Sequence, residues 1–96
     1  MNIIQKIKNK IISELNVLKL EIIDESLKHR DHIFQSAYSI SHLKVQLVSN
    51  DFLEITRINR HKLLHKILEG EIKLIHSISF SLYTEAEYNI LLEESN

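Results

Sequence analysis

Six histidines stand out in a chain of 96 residues, because imidazole binds metals and changes charge near neutral pH. His76 is the most informative of the six. It alternates with apolar residues in a strand-like segment, so it is either a half-buried core histidine or a metal ligand on a rigid strand. His29 and His32 lie in a segment without apolar periodicity, where a histidine is either solvated or part of a functional loop.

Two more histidines, His61 and His65, lie four residues apart on a predicted helix, a spacing that can chelate zinc. The glutamate that acts as the base in the H-E-x-x-H motif is missing, so we assign this pair to the helix surface. The same helix carries a basic face, which we expect to be exposed and which is formed by Arg57, Arg60, Lys62 and Lys66. A solvated surface and a surface that binds phosphate or an acidic partner both stay open for it.

Composition excludes several kinds of catalytic site. The chain has no cysteine, which excludes a thiol nucleophile and a metal site built from its thiolates. Its single glycine, Gly70, excludes a glycine-rich phosphate loop and a serine nucleophile elbow. With 12 Lys and Arg against 13 Asp and Glu, the chain as a whole has no strongly basic footprint. We therefore expect a non-enzymatic protein.

The sequence predicts neither a secretory signal nor a membrane span. Polar residues interrupt the first ten positions throughout, and no apolar run approaches the roughly 18 residues that a span needs. We expect a cytoplasmic protein that forms one domain over residues 1–96, with a core of about residues 3–92.

Hydrophobic periodicity predicts the elements that position the histidines. Apolar residues at three- and four-residue steps predict a helix from Ile3 to Leu15, with Asn2 as its N-cap. Alternation predicts a strand from Val17 to the turn at Asp24, and a second strand from His42 onwards. These two strands most simply form an antiparallel pair, joined by a long loop over residues 27–41.

The second half of the chain begins with a helix predicted from Ile58 to Glu69, which we expect to end at Gly70. A third strand follows from Leu74 to Leu82 and includes His76 on its apolar side. Because a helix connects it to the second strand, we predict that the third strand lies parallel to a neighbour.

The last element is a helix that begins with a capping box formed by Thr84 and Glu87. The predicted order is α-β-β-α-β-α, with room for a short extra helix before Ile58. We therefore predict an α+β fold, with a three-stranded mixed sheet covered by helices.

In this order the residues resemble the BolA family over roughly Ile3 to Tyr88. The most specific part is the R-H-(R/K) triplet followed by a strand with I-H. The matching segments are Asp24-Glu25-Ser26 with His29, His42-Leu43-Lys44-Val45, Val48-Ser49, Phe52, Arg60-His61-Lys62, Ile75-His76 and Tyr83-Thr84.

The resemblance implies a small domain like a class II KH fold and a monothiol glutaredoxin as partner, around a shared 2Fe-2S cluster. In that family the histidine that matches His76 is a cluster ligand, and a histidine or cysteine in the loop after the first strand is the other candidate. Here His29 matches the loop position, and His32 competes with it. The remaining ligands would be thiolates of the partner and of glutathione. The simplest expectation is a monomer that becomes a heterodimer in iron–sulfur trafficking or iron sensing.

Some BolA proteins are transcriptional regulators, so an alternative function is DNA binding. KH domains grip the nucleic-acid backbone with a G-x-x-G loop, which this chain lacks. Any DNA contact would therefore use Arg57, Arg60 and Lys62 on the helix. A third alternative is a module that binds glutaredoxin without a metal.

Two positions depart from the family pattern. Glu54 stands where a glycine usually follows the phenylalanine, so we predict that this turn differs or avoids a positive φ. Lys62 stands where arginine is usual, which keeps the charge but removes the bidentate fork.

Overall fold

The computed structural model describes residues 2–29 and 40–95. The elements, in chain order, are α1 (Ile3–Glu14), β1 (Lys19–Asp24), a 3-10 helix (Ser26–His29), β2 (His42–Val48), a second 3-10 helix (Asn50–Phe52), α2 (Arg57–Ile67), α3 (Glu69–Ile72), β3 (Ser77–Tyr83) and α4 (Glu85–Glu94). The predicted α+β fold is confirmed, and the second 3-10 helix lies where a short extra helix was expected. No helix in the described ranges is long and apolar enough to cross a membrane.

The sheet has the strand order β1-β2-β3, with β1 antiparallel and β3 parallel to the central strand. Asp24, at the end of β1, pairs with Leu43, and His42, at the start of β2, pairs with Ser77. The end of β1 and the starts of β2 and β3 therefore meet at one end of the sheet. We call this end, marked by Asp24, His42 and Ser77, the histidine end.

The hydrophobic core lies between one face of the sheet and the helices. The predicted inward face of β2, Leu43, Val45 and Leu47, is buried. Helices α1 and α2 contribute Ile7, Ile11 and Leu64 to the same buried cluster. The core comprises the three β2 residues with Ile7, Ile11, Phe52, Leu64, Leu68, Ile75 and Leu82.

Both predicted helix caps are confirmed. The backbone N–H of Gln5 donates to Asn2 Oδ1 at 2.8 Å, so Asn2 satisfies one of the unpaired amides at the start of α1. At the start of α4, the N–H of Glu87 donates to Thr84 Oγ1 at 3.3 Å, and the N–H of Thr84 donates to Glu87 Oε1 at 2.8 Å. This reciprocal pair is the predicted capping box.

Two boundaries near Gly70 differ from the prediction. Gly70 lies inside α3 with no positive φ, so the expectation that it ends the helix is wrong. The third strand begins at Ser77 and not at Leu74, because the preceding amides complete turns after α3. The N–H of Leu74 donates to the carbonyl of Glu71, and the N–H of Ile75 donates to that of Ile72.

The turn before α2 has a positive φ at a residue other than glycine. Leu53 has φ −56° and ψ 134°, Glu54 has φ 65°, and the N–H of Ile55 donates to the carbonyl of Phe52 at 3.1 Å. These values define a type II turn, whose third residue requires a positive φ and normally is glycine. The prediction that Glu54 avoids a positive φ is therefore wrong. The turn has the geometry that normally requires glycine, although the Cβ of Glu54 makes a positive φ sterically unfavourable.

Candidate functional site

His76 lies at the histidine end of the sheet, directly before β3, and its side chain is exposed. Its neighbour Ile75 is buried in the core, and the N–H of Ser77 donates to the carbonyl of Ser41 at 2.9 Å. The interpretation of His76 as a half-buried core histidine is therefore wrong. Its backbone is fixed on both sides, while its imidazole faces solvent at the start of a strand.

A second imidazole, that of His42, lies beside His76. The two ring centres are 5.2 Å apart and the ring planes are tilted by 57°. Alternation along β2 places His42 on the polar side of the strand, a pattern that by itself indicates no function. The signal that could have found it is the strand pairing, because the parallel register brings the start of β2, at His42, next to the start of β3, which His76 precedes.

Polar contacts hold the His42 backbone and ring in place. Ser26 Oγ accepts hydrogen bonds from the N–H groups of Ser41, at 2.9 Å, and His42, at 3.3 Å. Ser41 Oγ lies 2.8 Å from Nδ1 of His42. In the tautomer protonated at Nδ1, the ring donates to this hydroxyl and its Nε2 is the nitrogen able to bind a metal.

The separation of the two rings suits a shared metal ion. With metal–nitrogen distances of about 2.0–2.1 Å and ring nitrogens about 1.1 Å from the ring centre, two imidazoles at a tetrahedral angle have centres about 5 Å apart. The 5.2 Å between His42 and His76 agrees with this value. Within residues 2–29 and 40–95, no group of three or more His, Asp or Glu side chains could hold a metal. A metal at this pair therefore needs further ligands from elsewhere.

The two predicted loop ligands are only partly within the described structure. The backbone of His29 ends the 3-10 helix that follows β1, so this residue belongs to the histidine end. The side chain of His29 and the whole of His32 lie outside the described residues.

The expectation that Arg60 is exposed on the basic face is wrong, because its side chain is only 6% exposed. Its guanidinium donates to the carbonyls of Ile55, at 2.9 Å, and Leu82, at 3.2 Å, and to the carboxylate of Glu87. It also lies 5.6 Å from the ring centre of Phe52. Arg60 therefore joins the turn before α2, the end of β3 and the start of α4, and offers no charge to a phosphate.

The side chain of His61 also makes contacts within the fold. Its Nε2 lies 3.2 Å from the carbonyl oxygen of Phe80, and its Nδ1 lies 2.8 Å from that of Arg57. Arg60 and His61 thus contact the carbonyls of two alternate residues, Leu82 and Phe80, on the outer edge of β3. An edge strand with occupied carbonyls is a poor template for another strand, so these contacts protect the sheet.

The exposed part of the basic face is smaller than predicted. Arg57, Lys62, His65 and Lys66 are exposed on α2, together with the apolar side chain of Ile58. A shallow groove along α2 is lined by Arg57, Ile58, His61, Lys62 and His65. Two of the three residues named for DNA contact, Arg57 and Lys62, are therefore available, whereas Arg60 is not.

The Arg60–Glu87 ion pair changes the acidity of the carboxyl group. Hydrogen bonds from the Arg60 guanidinium, with a further bond from the Thr84 backbone, lower the pKa of Glu87 to about 2. Glu87 is therefore fully ionised near neutral pH, and the pair is charged on both sides.

Comparison with known proteins gives a consistent result. Residues 11–87 match the family model for BolA-like protein. The chain is 33% identical over 89 residues to the DNA-binding transcriptional regulator BolA of Escherichia coli, covering 92% of this chain and 81% of that protein.

Solved structures show the same fold. BolA1 from Arabidopsis thaliana superposes with a TM-score of 0.81 at 27% identity, covering 91% of this chain and 96% of that one. The BolA domain of SufE1 from the same plant gives a TM-score of 0.74 at 30% identity, covering 86% of this chain and 92% of that one.

Proposed function

The chain belongs to the BolA-like protein family, and we propose that it is a non-enzymatic partner of a monothiol glutaredoxin with which it shares a bridging 2Fe-2S cluster. In this role it serves iron–sulfur cluster trafficking, or iron and redox regulation. The observation that carries the proposal is the exposed imidazole of His76, 5.2 Å from that of His42 at one end of the sheet.

The donor set of this chain fits a shared cluster better than a cluster of its own. The chain offers imidazole nitrogens but no thiolate, because it has no cysteine. Thiolates must therefore come from the partner and from glutathione. Imidazole ligands in place of thiolates raise the reduction potential of a 2Fe-2S cluster, as in Rieske centres. Protonated imidazole cannot bind iron, so such a cluster is acid-sensitive.

Three histidines compete for the place beside His76. His29, with His32 as its competitor, is the ligand that the family pattern suggests. His42 joins them because its ring lies beside that of His76, at a distance compatible with two imidazoles on one metal ion. We favour His42, since it lies at the start of the central strand and its ring is adjacent to that of His76.

The proposal is tested by titrating the glutathione-ligated 2Fe-2S form of a monothiol glutaredoxin with this protein. We expect the visible absorption and circular dichroism to change to a new form, with an end point at one-to-one stoichiometry. His42→Ala, His29→Ala and His32→Ala, compared in parallel, identify the second ligand. A cluster spectrum that stays unchanged at excess protein contradicts the proposal.

DNA binding is the second candidate function. It is favoured by the name of the Escherichia coli relative and by the exposure of Arg57 and Lys62 on one helix. Phosphate contacts from these two side chains would be independent of DNA sequence and sensitive to salt.

Fluorescence anisotropy of a labelled duplex at several salt concentrations tests this candidate. We expect the double variant Arg57→Ala/Lys62→Ala to bind DNA more weakly. The slope of log affinity against log salt concentration should decrease in magnitude by about 2, because the protein no longer neutralises two phosphates. Lys8→Ala with Lys73→Ala removes two exposed charges elsewhere and is the matched control. If both double variants bind DNA equally weakly, the protein's positive charges attract DNA irrespective of their position. That result would exclude α2 as the DNA interface.

A further inference from the structure

We propose that the protein alone, without glutaredoxin and without a cluster, binds one divalent transition-metal ion of the zinc type between His42 and His76. The inference rests on the distance and surroundings of the two rings and not on any property of a partner.

The first support is the geometry of the pair. The ring centres are 5.2 Å apart, close to the roughly 5 Å expected for two imidazoles on one tetrahedral ion. The 57° tilt shows that the rings are not stacked face to face.

The second support is the rigidity of the positions. His42 begins the central strand, and its backbone N–H is held by Ser26 Oγ at 3.3 Å. His76 precedes Ser77, whose N–H donates to the carbonyl of Ser41 at 2.9 Å. Because this bond joins the starts of β2 and β3 directly, the backbones of the two histidines are held side by side without a bound ion. Binding an ion therefore does not require the two strands to be ordered first.

The third support is the second contact of the His42 ring. Ser41 Oγ lies 2.8 Å from Nδ1, and in the tautomer protonated at Nδ1 the ring donates to this hydroxyl. Hydrogen bonds of this kind to the remaining ring nitrogen orient most histidines that bind metals.

The donor type defines which ions fit. Two neutral imidazoles suit Zn²⁺, Co²⁺, Ni²⁺ and Cu²⁺, whereas Mg²⁺ and Ca²⁺ need oxygen ligands. No third His, Asp or Glu of the described residues joins the pair, so the pair alone supplies two of the ligands that such an ion needs.

One consequence rests on the proposed function. If His76 is a cluster ligand, an ion held by His76 must leave before the cluster can bind. Zinc would then compete with cluster acceptance, and the concentration of free transition metal would regulate this step.

The test uses untagged full-length protein and Co²⁺, whose visible absorption reports tetrahedral coordination, followed by displacement with Zn²⁺. We expect one ion per chain. Both His42→Ala and His76→Ala should lower the affinity at least tenfold, and the double variant should bind little more weakly than either single variant, because a chelate needs both rings. His65→Ala, which removes an exposed histidine on α2, should bind as the wild type does. Far-UV circular dichroism confirms that each variant is folded.

Two results would overturn the inference: no Co²⁺ or Zn²⁺ binding at millimolar concentration, or equal binding by the wild type and both single variants. Because this titration contains neither glutaredoxin nor cluster, its failure leaves the proposed function intact. The cluster titration, run with a chelator that removes free zinc, can fail without affecting the zinc result.

Discussion

Arg60 and Glu87 form a two-point ion pair between α2 and α4, with Nη1–Oε1 at 2.6 Å and Nη2–Oε2 at 3.2 Å. The guanidinium is almost fully buried, while a third of the Glu87 side chain is exposed. Glu87 also closes the capping box with Thr84, so one carboxylate stabilises both the start of α4 and its attachment to the sheet. The arginine that the sequence suggested for nucleic acid instead holds the fold together.

Glu87→Gln should lower the free energy of unfolding by about 2 kcal/mol, the range of a hydrogen bond to a charged group. The reason is that it leaves the buried guanidinium of Arg60 without its counter-charge. Solvent around the exposed third of the side chain keeps the effect below that of a fully buried pair. Urea denaturation gives the value. Glu85→Gln, in the same turn but exposed, is the control and should change stability little. Equal destabilisation in the two variants would contradict a specific role for the pair.

The same carboxyl group makes stability depend on pH. Its pKa is about 2 in the folded state, below the ordinary value of 4.5. The folded state therefore gains stability from Glu87 above about pH 4.5 and loses that gain as the pH falls toward 2. We expect the stability difference between the wild type and Glu87→Gln to shrink across this window. A difference that stays constant from pH 6 to about pH 2.5 would contradict the assignment.

Glu54→Gly should raise the free energy of unfolding by about 1 kcal/mol, because glycine adopts a positive φ without steric cost. The wild-type turn holds Glu54 at φ 65°. Chemical denaturation measures the gain. Glu54→Ala removes the same carboxylate but keeps a Cβ, so it should show no comparable gain. A gain shared by both variants would assign the effect to the removed charge and not to the backbone.

Gly70→Ala should stabilise the protein by about 0.5–1 kcal/mol, because alanine lowers the entropy of the unfolded chain at a helical position. Gly70 lies in α3 without a positive φ, and a Cβ placed there meets no atom within 4 Å. A rise in the denaturation midpoint at unchanged slope is the expected result. A destabilised variant would mean that this position needs the freedom of glycine after all.

Much of the fold was predictable from local signals. The inward face of β2, the Asn2 cap and the capping box of α4 depend on residues close together in the chain, which periodicity and spacing report directly. The prediction that Gly70 ends a helix fails because glycine permits a left-handed conformation without requiring one. At Glu54 the opposite happens: the prediction excludes a positive φ, but the surrounding turn imposes it on a residue that disfavours it.

The site was less predictable, because it depends on contacts between distant segments. Arg60 looks exposed by helical spacing, and only the position of Glu87, 27 residues later, shows why it is buried. His42 gained significance only from the parallel register that pairs it with Ser77. Neither contact leaves a trace in local periodicity.

The central claim, that His76 binds a cluster shared with a monothiol glutaredoxin, is tested most directly by one pair of variants. His76→Ala and His65→Ala each remove one exposed histidine. Each variant is titrated into the glutathione-ligated 2Fe-2S glutaredoxin in the presence of a chelator that removes free zinc. We expect His65→Ala to produce the same new visible circular-dichroism spectrum as the wild type. We expect His76→Ala to leave the glutaredoxin spectrum unchanged or to bleach it. A full spectral change with folded His76→Ala would contradict the claim.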